Sequence, residues 1–114
     1  MKFIIKRELL LNTLNNVSKG LTSKTPTPSL TGIYVEAIDN ILTFVSTNRE
    51  LSIKVEVNNN VDLHIEEEGS CLIPGKYFLE IIKKLDDENV TISLFDSTSI
   101  KIITERSQLT LNAL

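Results

Sequence analysis

The chain has 114 residues, of which 41% are hydrophobic and 24% are charged, a composition typical of a single globular domain. No apolar run approaches the roughly 20 residues that a membrane span needs, and the N-terminus lacks a signal-peptide core, so we expect a cytoplasmic protein without a membrane partner. A formal net charge of −3 argues against gripping nucleic acid by overall charge, and the single cysteine excludes an internal disulfide.

The first half of the chain predicts a strand, a helix and three further strands. The helix has one apolar face, formed by Leu10, Leu14, Val17 and Leu21. A long irregular segment at 22–29 follows it, and Asp39-Asn40 is a good hairpin turn because both residues tolerate positive φ. The elements are expected at 2–6, 8–19, 33–38, 41–46 and 51–57.

The second half repeats this order. Pro74 suits the start of a helix, because its missing N–H costs nothing there. The apolar face of that helix comprises Phe78, Ile81, Ile82 and Leu85. The elements are expected at 70–73, 75–85, 90–95, 99–103 and 108–112, with a possible extra edge strand at 61–65 that the glutamates at 66–68 end.

The repeat, 1–58 and 69–114, indicates two copies of a unit that cannot bury its own apolar faces. The strands alternate between apolar and polar residues, which is typical of antiparallel sheets with one covered face. We therefore predict one α+β domain made of two βαβββ units, with antiparallel sheets and two helices packed on one side.

Charge is distributed unevenly along the chain. Segment 6–24 carries a net +3 and segment 75–85 a net +2, so the remainder carries −8. The segments that contain the two helices are thus basic, whereas the other strands and loops are acidic. Taken alone, this pattern fits solvated helix faces as well as a surface for a polyanion.

The sequence offers little that could support catalysis. It has four dispersed glycines and one histidine, His64, so it contains neither a phosphate-binding glycine loop nor a two-histidine metal site or Ser–His–Asp triad. Cys71 lies in an apolar strand and is expected to be a structural thiol. The run Asp86-Asp87-Glu88 is expected to be a solvated turn. We predict a protein that is not an enzyme and needs no metal or cofactor.

Four segments resemble the bacterial DNA polymerase III beta subunit, the sliding clamp. They are the opening Met1-Lys-Phe-Ile-Ile-Lys-Arg-Glu-Leu-Leu10, Ser46-Thr-Asn-Arg-Glu-Leu51, Ile73-Pro-Gly-Lys-Tyr-Phe78 and Glu105-Arg-Ser-Gln-Leu-Thr-Leu-Asn-Ala-Leu114. The resemblance implies the DNA-clamp fold and the first of three similar domains. It also implies a head-to-tail homodimer that encircles double-stranded DNA and confers processivity, with the replicative polymerase and the clamp loader bound through domains absent here.

The resemblance also assigns roles to individual residues. Lys24, Lys76 and Lys83 fall on basic DNA-facing positions, and the broader DNA-facing set adds Lys6, Arg7, Lys19 and Lys84. The predicted subunit interface comprises Arg106, Leu109, Leu111, Gln108 and Tyr77. Arg106 matches an ion-pairing residue, whereas Leu109 and Leu111 match an apolar pair on an edge strand.

Two alternatives to the clamp remain open at this point. One is a stand-alone protein-interaction module that uses an edge strand, in which Leu109 and Leu111 are plain core residues and the lysines are solvated. The other is a small-molecule or enzymatic domain with a cleft between the halves. Convergent polar groups would be needed there, and the sequence indicates none.

Overall fold

The computed structural model describes residues 1–21, 31–48 and 50–114. Lys24 and the 22–29 segment lie outside this part of the chain. The elements are β1 (Lys2–Lys6), α1 (Arg7–Val17), β2 (Gly32–Ile38), β3 (Ile41–Thr47), β4 (Ser52–Asn58), β5 (Leu63–Glu67), β6 (Gly69–Pro74), α2 (Gly75–Lys84), β7 (Asn89–Phe95), β8 (Ser99–Ile103) and β9 (Gln108–Asn112). In the described ranges, no helix has both the length and the apolar character that a bilayer crossing requires.

Two elements differ from their predicted limits by more than one residue. α1 ends at Val17, and a 3-10 turn over Ser18–Gly20 follows, because the Ser46 hydroxyl donates to the Val17 carbonyl at the end of the helix. β5 begins two residues later than expected and includes two of the glutamates. The side-chain oxygen of Asn60 accepts a hydrogen bond from the Asp62 amide (2.7 Å), which holds the preceding residues in a turn.

The strands form two antiparallel sheets, ordered β5-β1-β7-β8-β9 and β4-β3-β2-β6. The first strand of each half joins the sheet of the other half: β1 pairs with β7, and β6 pairs with β2. The two halves therefore interlock through exchanged strands. This arrangement agrees with the predicted fold of two βαβββ units and adds the exchange, which the sequence repeat did not indicate.

The core lies between the sheets and the helices. Phe3, Phe44 and Phe78 are fully buried, as are Leu14 and Ile82 from the predicted helix faces. Each such side chain contributes roughly 1.5–3 kcal/mol relative to an exposed one. α1 and α2 pack against each other, so they lie side by side as predicted.

The two hairpin turns, one after β2 and one after β7, have the same backbone conformation. Asp39 and Asn40 have φ of 52° and 65°, and Asp96 and Ser97 have φ of 47° and 67°. Two consecutive residues of positive φ match the twist of antiparallel strands. Equivalent turns at matching points of both halves confirm the predicted tight connections.

Candidate functional site

The solvent-facing side of α2 is cationic. Lys76, Tyr77, Glu80, Lys83 and Lys84 are all exposed, opposite the buried face of the helix. The spacing follows the helical period, which places these five side chains on one stripe with a net charge of +2. The described part of the chain places no carboxylate within 4.0 Å of the three lysine amino groups, so their charges are available to an external anion.

The exposed side of α1 is different. It presents Glu8, Asn12, Asn15 and Asn16, and Lys19 follows in the 3-10 turn, also exposed. One acidic and one basic residue cancel, so this face is neutral in the described chain. Three of the exposed positions on α1 are asparagines, which carry no charge. The positive charge predicted around the first helix therefore comes from the residues on either side of this neutral face.

Lys6 and Arg7 already have partners within the chain. The Lys6 amino group lies 3.5 Å from an Asp62 carboxylate oxygen and 4.0 Å from one of Glu88. The Arg7 guanidinium donates to the Ile82 carbonyl from Nε (3.0 Å) and to the Lys83 carbonyl from Nη2 (2.9 Å). These two predicted DNA-facing charges are thus engaged inside the domain, unlike those of α2.

β9 forms one edge of the five-stranded sheet, and no described strand pairs with its outer side. Antiparallel pairs alternate between hydrogen-bonded and non-hydrogen-bonded positions. The bonds from Thr104 N to Ser107 O (2.8 Å) and from Ala113 N to Thr98 O (2.9 Å) fix that alternation. It follows that the main-chain groups of Gln108, Thr110 and Asn112 point away from β8, toward the free edge.

The side chains of the predicted apolar pair on β9 point toward the core and not toward the free edge. Leu109 and Leu111 pair with Ile102 and Ile100 and turn toward the core, but both are only half-buried. A plain core strand would cover them more completely. Their partial exposure is compatible with a neighbour that covers this edge.

The other predicted interface residues are spread along α2 and β9. The Arg106 Nε lies 3.6 Å from an Asp87 carboxylate oxygen, just beyond the last turn of α2. Gln108 is exposed at the start of β9, whereas Tyr77 is 61% exposed in the first turn of α2, at the opposite end of that helix. The expectation that 86–88 is a solvated turn is wrong for Asp87, whose side chain is only 9% exposed because it packs beside Arg106.

A second open edge was missed by the sequence analysis. β4 borders the four-stranded sheet, and its apolar residues Ile53, Val55 and Val57 are half-buried, as on β9. The bond from Asn48 N to Leu51 O (2.9 Å) sets the alternation so that alternate main-chain groups, including those of Lys54, face outward. The repeat itself is the signal that could have found it, because β4 and β9 occupy equivalent positions.

Groups for chemistry are sparse in the described ranges. They contain no cluster of three or more His, Cys, Asp or Glu side chains that could hold a metal ion. Burial raises the pKa of the Cys71 thiol from 9.0 to about 11, against a smaller opposing effect of the N-terminal ammonium, so the thiol stays protonated. A cavity of about 460 Å³ lies between the halves; among the described residues its lining is mainly apolar, including Leu21 and Leu79.

The two interlocked sheets, paired helices and open edges define an α+β domain of the clamp type. The chain belongs to the DNA polymerase III beta subunit family, whose N-terminal-domain model matches residues 1–114. It is 36% identical over 115 residues to the beta sliding clamp of Mycoplasma capricolum, covering 100% of this chain and 31% of that protein.

Solved structures agree with this assignment. The sliding clamp from Bacillus subtilis superposes with a TM-score of 0.95 at 30% identity, and the match covers 100% of this chain and 31% of that one. The Helicobacter pylori beta clamp bound to a DNA ligase peptide gives a TM-score of 0.89 at 25% identity, with 100% and 31% coverage. The chain therefore spans about a third of the length of these relatives.

Proposed function

We propose that this chain is the first of three similar domains of a bacterial sliding-clamp subunit, which acts in DNA replication as a processivity factor and not as an enzyme. Two such subunits would join head to tail around double-stranded DNA in the cytoplasm. The family membership supports the assignment, and the exposed lysines of α2 are the observation that carries the DNA contact.

The charge distribution suits a protein that slides. Lys76, Lys83 and Lys84 present exposed point charges on a body whose formal net charge is −3. Such charges attract phosphates by counterion release without reading bases, so the contact is sequence-independent and weak. We keep Lys19 and Lys24 in the proposed DNA-facing set and remove Lys6 and Arg7, whose charges are engaged within the domain.

Two of the four edge strands, β4 and β9, support assembly into a ring. β4 and β9 are equivalent by the internal repeat, and each has outward main-chain groups that another strand could pair with. A domain with one such edge on either side can have a neighbour at both. We propose that Arg106, Gln108, Leu109, Leu111 and Tyr77 lie where a second subunit meets this domain.

Polymerase and clamp-loader binding is proposed for domains other than this one. The Helicobacter pylori relative was solved with a DNA ligase peptide, and by analogy we place peptide binding on the longer subunit. Among the described residues, the cavity lining of this chain is mainly apolar, with Ser18, Thr31, Lys76 and Tyr77 as its polar members.

A salt titration tests the DNA contact. The chain is titrated with a short fluorescent duplex at several salt concentrations, and the logarithm of the binding constant is expected to fall with a slope of about −3 if three phosphates are neutralised. Lys83→Glu should weaken binding severalfold, whereas the matched Lys54→Glu on β4 should have little effect. Nanomolar binding that resists salt, or equal losses in both variants, would contradict the proposal.

The edge-strand alternative has a specific observation in its favour, since the described structure leaves β9 open. A stand-alone interaction module would use that edge for foreign peptides, and its α2 lysines would have no role in DNA binding. The same titration separates the two functions, because such a module would show no difference between the Lys83→Glu and Lys54→Glu variants.

A further inference from the structure

We infer that Arg7 is a positioning residue: it holds the C-terminal end of α2 and thereby fixes Lys83 and Lys84, and it does not itself contact phosphate. This inference rests on the proposed DNA contact of α2 and assigns a role to a residue that resemblance alone would place on the DNA. The observations that support it are the hydrogen bonds that Arg7 makes.

Arg7 is bonded to both ends of the segment that leads out of α2. Its guanidinium donates to the carbonyls of Ile82 (3.0 Å) and Lys83 (2.9 Å), and its main-chain N–H donates to the Glu88 carbonyl (2.9 Å). All three partners are more than 70 positions away in sequence. One residue thus connects the start of α1 to the end of α2 and to the chain that enters β7.

The end of α2 needs such a partner. The last carbonyls of a helix have no intrahelical donor, and many helices end in a left-handed glycine that supplies one. α2 instead ends at Lys84 and is followed by Leu85, which is extended (φ −80°, ψ 140°) and whose amide reaches only the Ile82 carbonyl, at 3.3 Å. The guanidinium supplies two further donors at the negative end of the helix dipole, where a cation is favoured.

Arg7 itself stands on a rigid support. It follows directly after β1, which is paired on both sides, by β5 and by β7. Lys6, the neighbour of Arg7, is opposite Asn89 in that pairing. The hydrogen bonds from Arg7 therefore anchor the last turn of α2, with its two lysines, to the interior of the five-stranded sheet.

The surroundings of Arg7 disfavour a phosphate. A recess of about 210 Å³ beside it is lined by two cationic and four acidic residues, namely Lys6, Arg7, Glu8, Asp86, Asp87 and Glu88. The net charge of this lining is −2, which repels an anion. No described carboxylate lies within 4.0 Å of the α2 lysine amino groups, so the phosphate contact falls to them.

Substitution by lysine separates position from charge. Arg7→Lys keeps the charge but loses the planar fork that reaches two carbonyls. We expect faster amide exchange in the last turn of α2, with unchanged exchange in β2 and β8 showing that the fold persists. Duplex binding should weaken by about three- to tenfold with an unchanged salt slope, as expected for a residue that modulates a site through its neighbours.

A double-mutant cycle then decides between the two roles. In a Lys83→Ala/Lys84→Ala background, Arg7→Lys should have no further effect on duplex binding, because the groups it positions are gone. Lys6→Gln, the matched neighbouring substitution, should leave exchange in α2 unchanged. Wild-type binding by Arg7→Lys, or a loss that adds fully to the lysine substitutions, would overturn the inference. Absence of duplex binding by the unsubstituted chain would instead overturn the proposed function, and this inference with it.

Discussion

Arg106 and Asp87 join the turn before β9 to the segment after α2, with 3.6 Å between Nε and the carboxylate oxygen. The Asp87 side chain is 9% exposed and that of Arg106 is 70% exposed, so the pair couples a largely covered carboxylate to a cation that still faces solvent. Within the part of the chain that the structure describes, the other Arg106 donors have no bonded partner and can meet a second one. The pair connects the proposed subunit interface to the end of the proposed DNA-binding helix.

Exchanging the two charges should separate their roles. Arg106→Glu alone places two carboxylates side by side and should lower the free energy of unfolding by about 1 kcal/mol, whereas adding Asp87→Arg restores attraction and most of the stability. Chemical denaturation of this chain measures both. In the longer subunit proposed above, the exchanged pair should remain folded yet associate more weakly, by analytical ultracentrifugation. Full recovery of association would show that Arg106 acts only within the chain.

Edge pairing by β9 makes a sharper prediction at Thr110. The Thr110 N–H points away from β8, so Thr110→Pro removes a donor from the free edge and leaves the ladder to β8 intact. We expect Thr110→Pro to retain its thermal midpoint within a few degrees but to abolish dimerisation of the longer subunit. Thr110→Val keeps the N–H and is the control. Dimers formed equally by both variants would exclude strand pairing at this edge.

Alanine substitutions of two serines near the end of α1, Ser18 and Ser46, are predicted to have opposite effects on the free energy of unfolding. The buried Ser46 hydroxyl donates to the Val17 carbonyl, whereas the Ser18 hydroxyl oxygen is buried without a hydrogen-bond partner among the described residues. Ser46→Ala removes one hydrogen bond to that carbonyl and should cost about 0.5–1.5 kcal/mol of unfolding free energy. Ser18→Ala removes a desolvated polar group and should be neutral or stabilising. A larger loss from Ser18→Ala than from Ser46→Ala in urea unfolding would contradict this assignment.

Cys71 should be chemically inert in the folded chain. With its pKa raised to about 11 by burial, its alkylation at pH 8 should be about a hundredfold slower than in the urea-unfolded chain, from the difference in thiolate fraction. Because the folded pKa is the higher one, the stability from the neutral thiol is complete below pH 9.0 and is lost as the pH rises through about 11. Cys71→Ala should remove that alkaline decline, as measured by unfolding at a series of pH values. Equal alkylation rates in the folded and unfolded chains would refute the raised pKa.

The limits of the elements were largely predictable because they depend on neighbours along the chain. Phe78 and Ile82 recur at helical spacing and are buried in α2, and Asp39-Asn40 forms the expected turn. β5 was less predictable. The start of β5 is set by hydrogen bonds that the side chains of the preceding asparagines accept. A hydropathy pattern does not predict such hydrogen bonds.

The candidate site was predictable only in part. Lys76, Lys83 and Lys84 could be placed on the exposed face of α2 from periodicity alone. Arg7 could not be distinguished from them, because the sequence does not show whether a charged side chain faces solvent or donates to carbonyls more than 70 residues away. Asp87 was misjudged for the same reason.

The sequence by itself determined two βαβββ repeats, an apolar stripe on each helix and a basic bias in the helical segments, since these follow from residue order and side-chain chemistry. Tertiary structure alone decided that β1 and β6 exchange sheets, that Arg7 donates to the end of α2, and that β4 and β9 end their sheets with no further described strand beside them. Each of these depends on which distant groups meet. Local propensity does not encode such a pairing, because the free energy comes from burial and hydrogen bonds that exist only once the whole chain has packed.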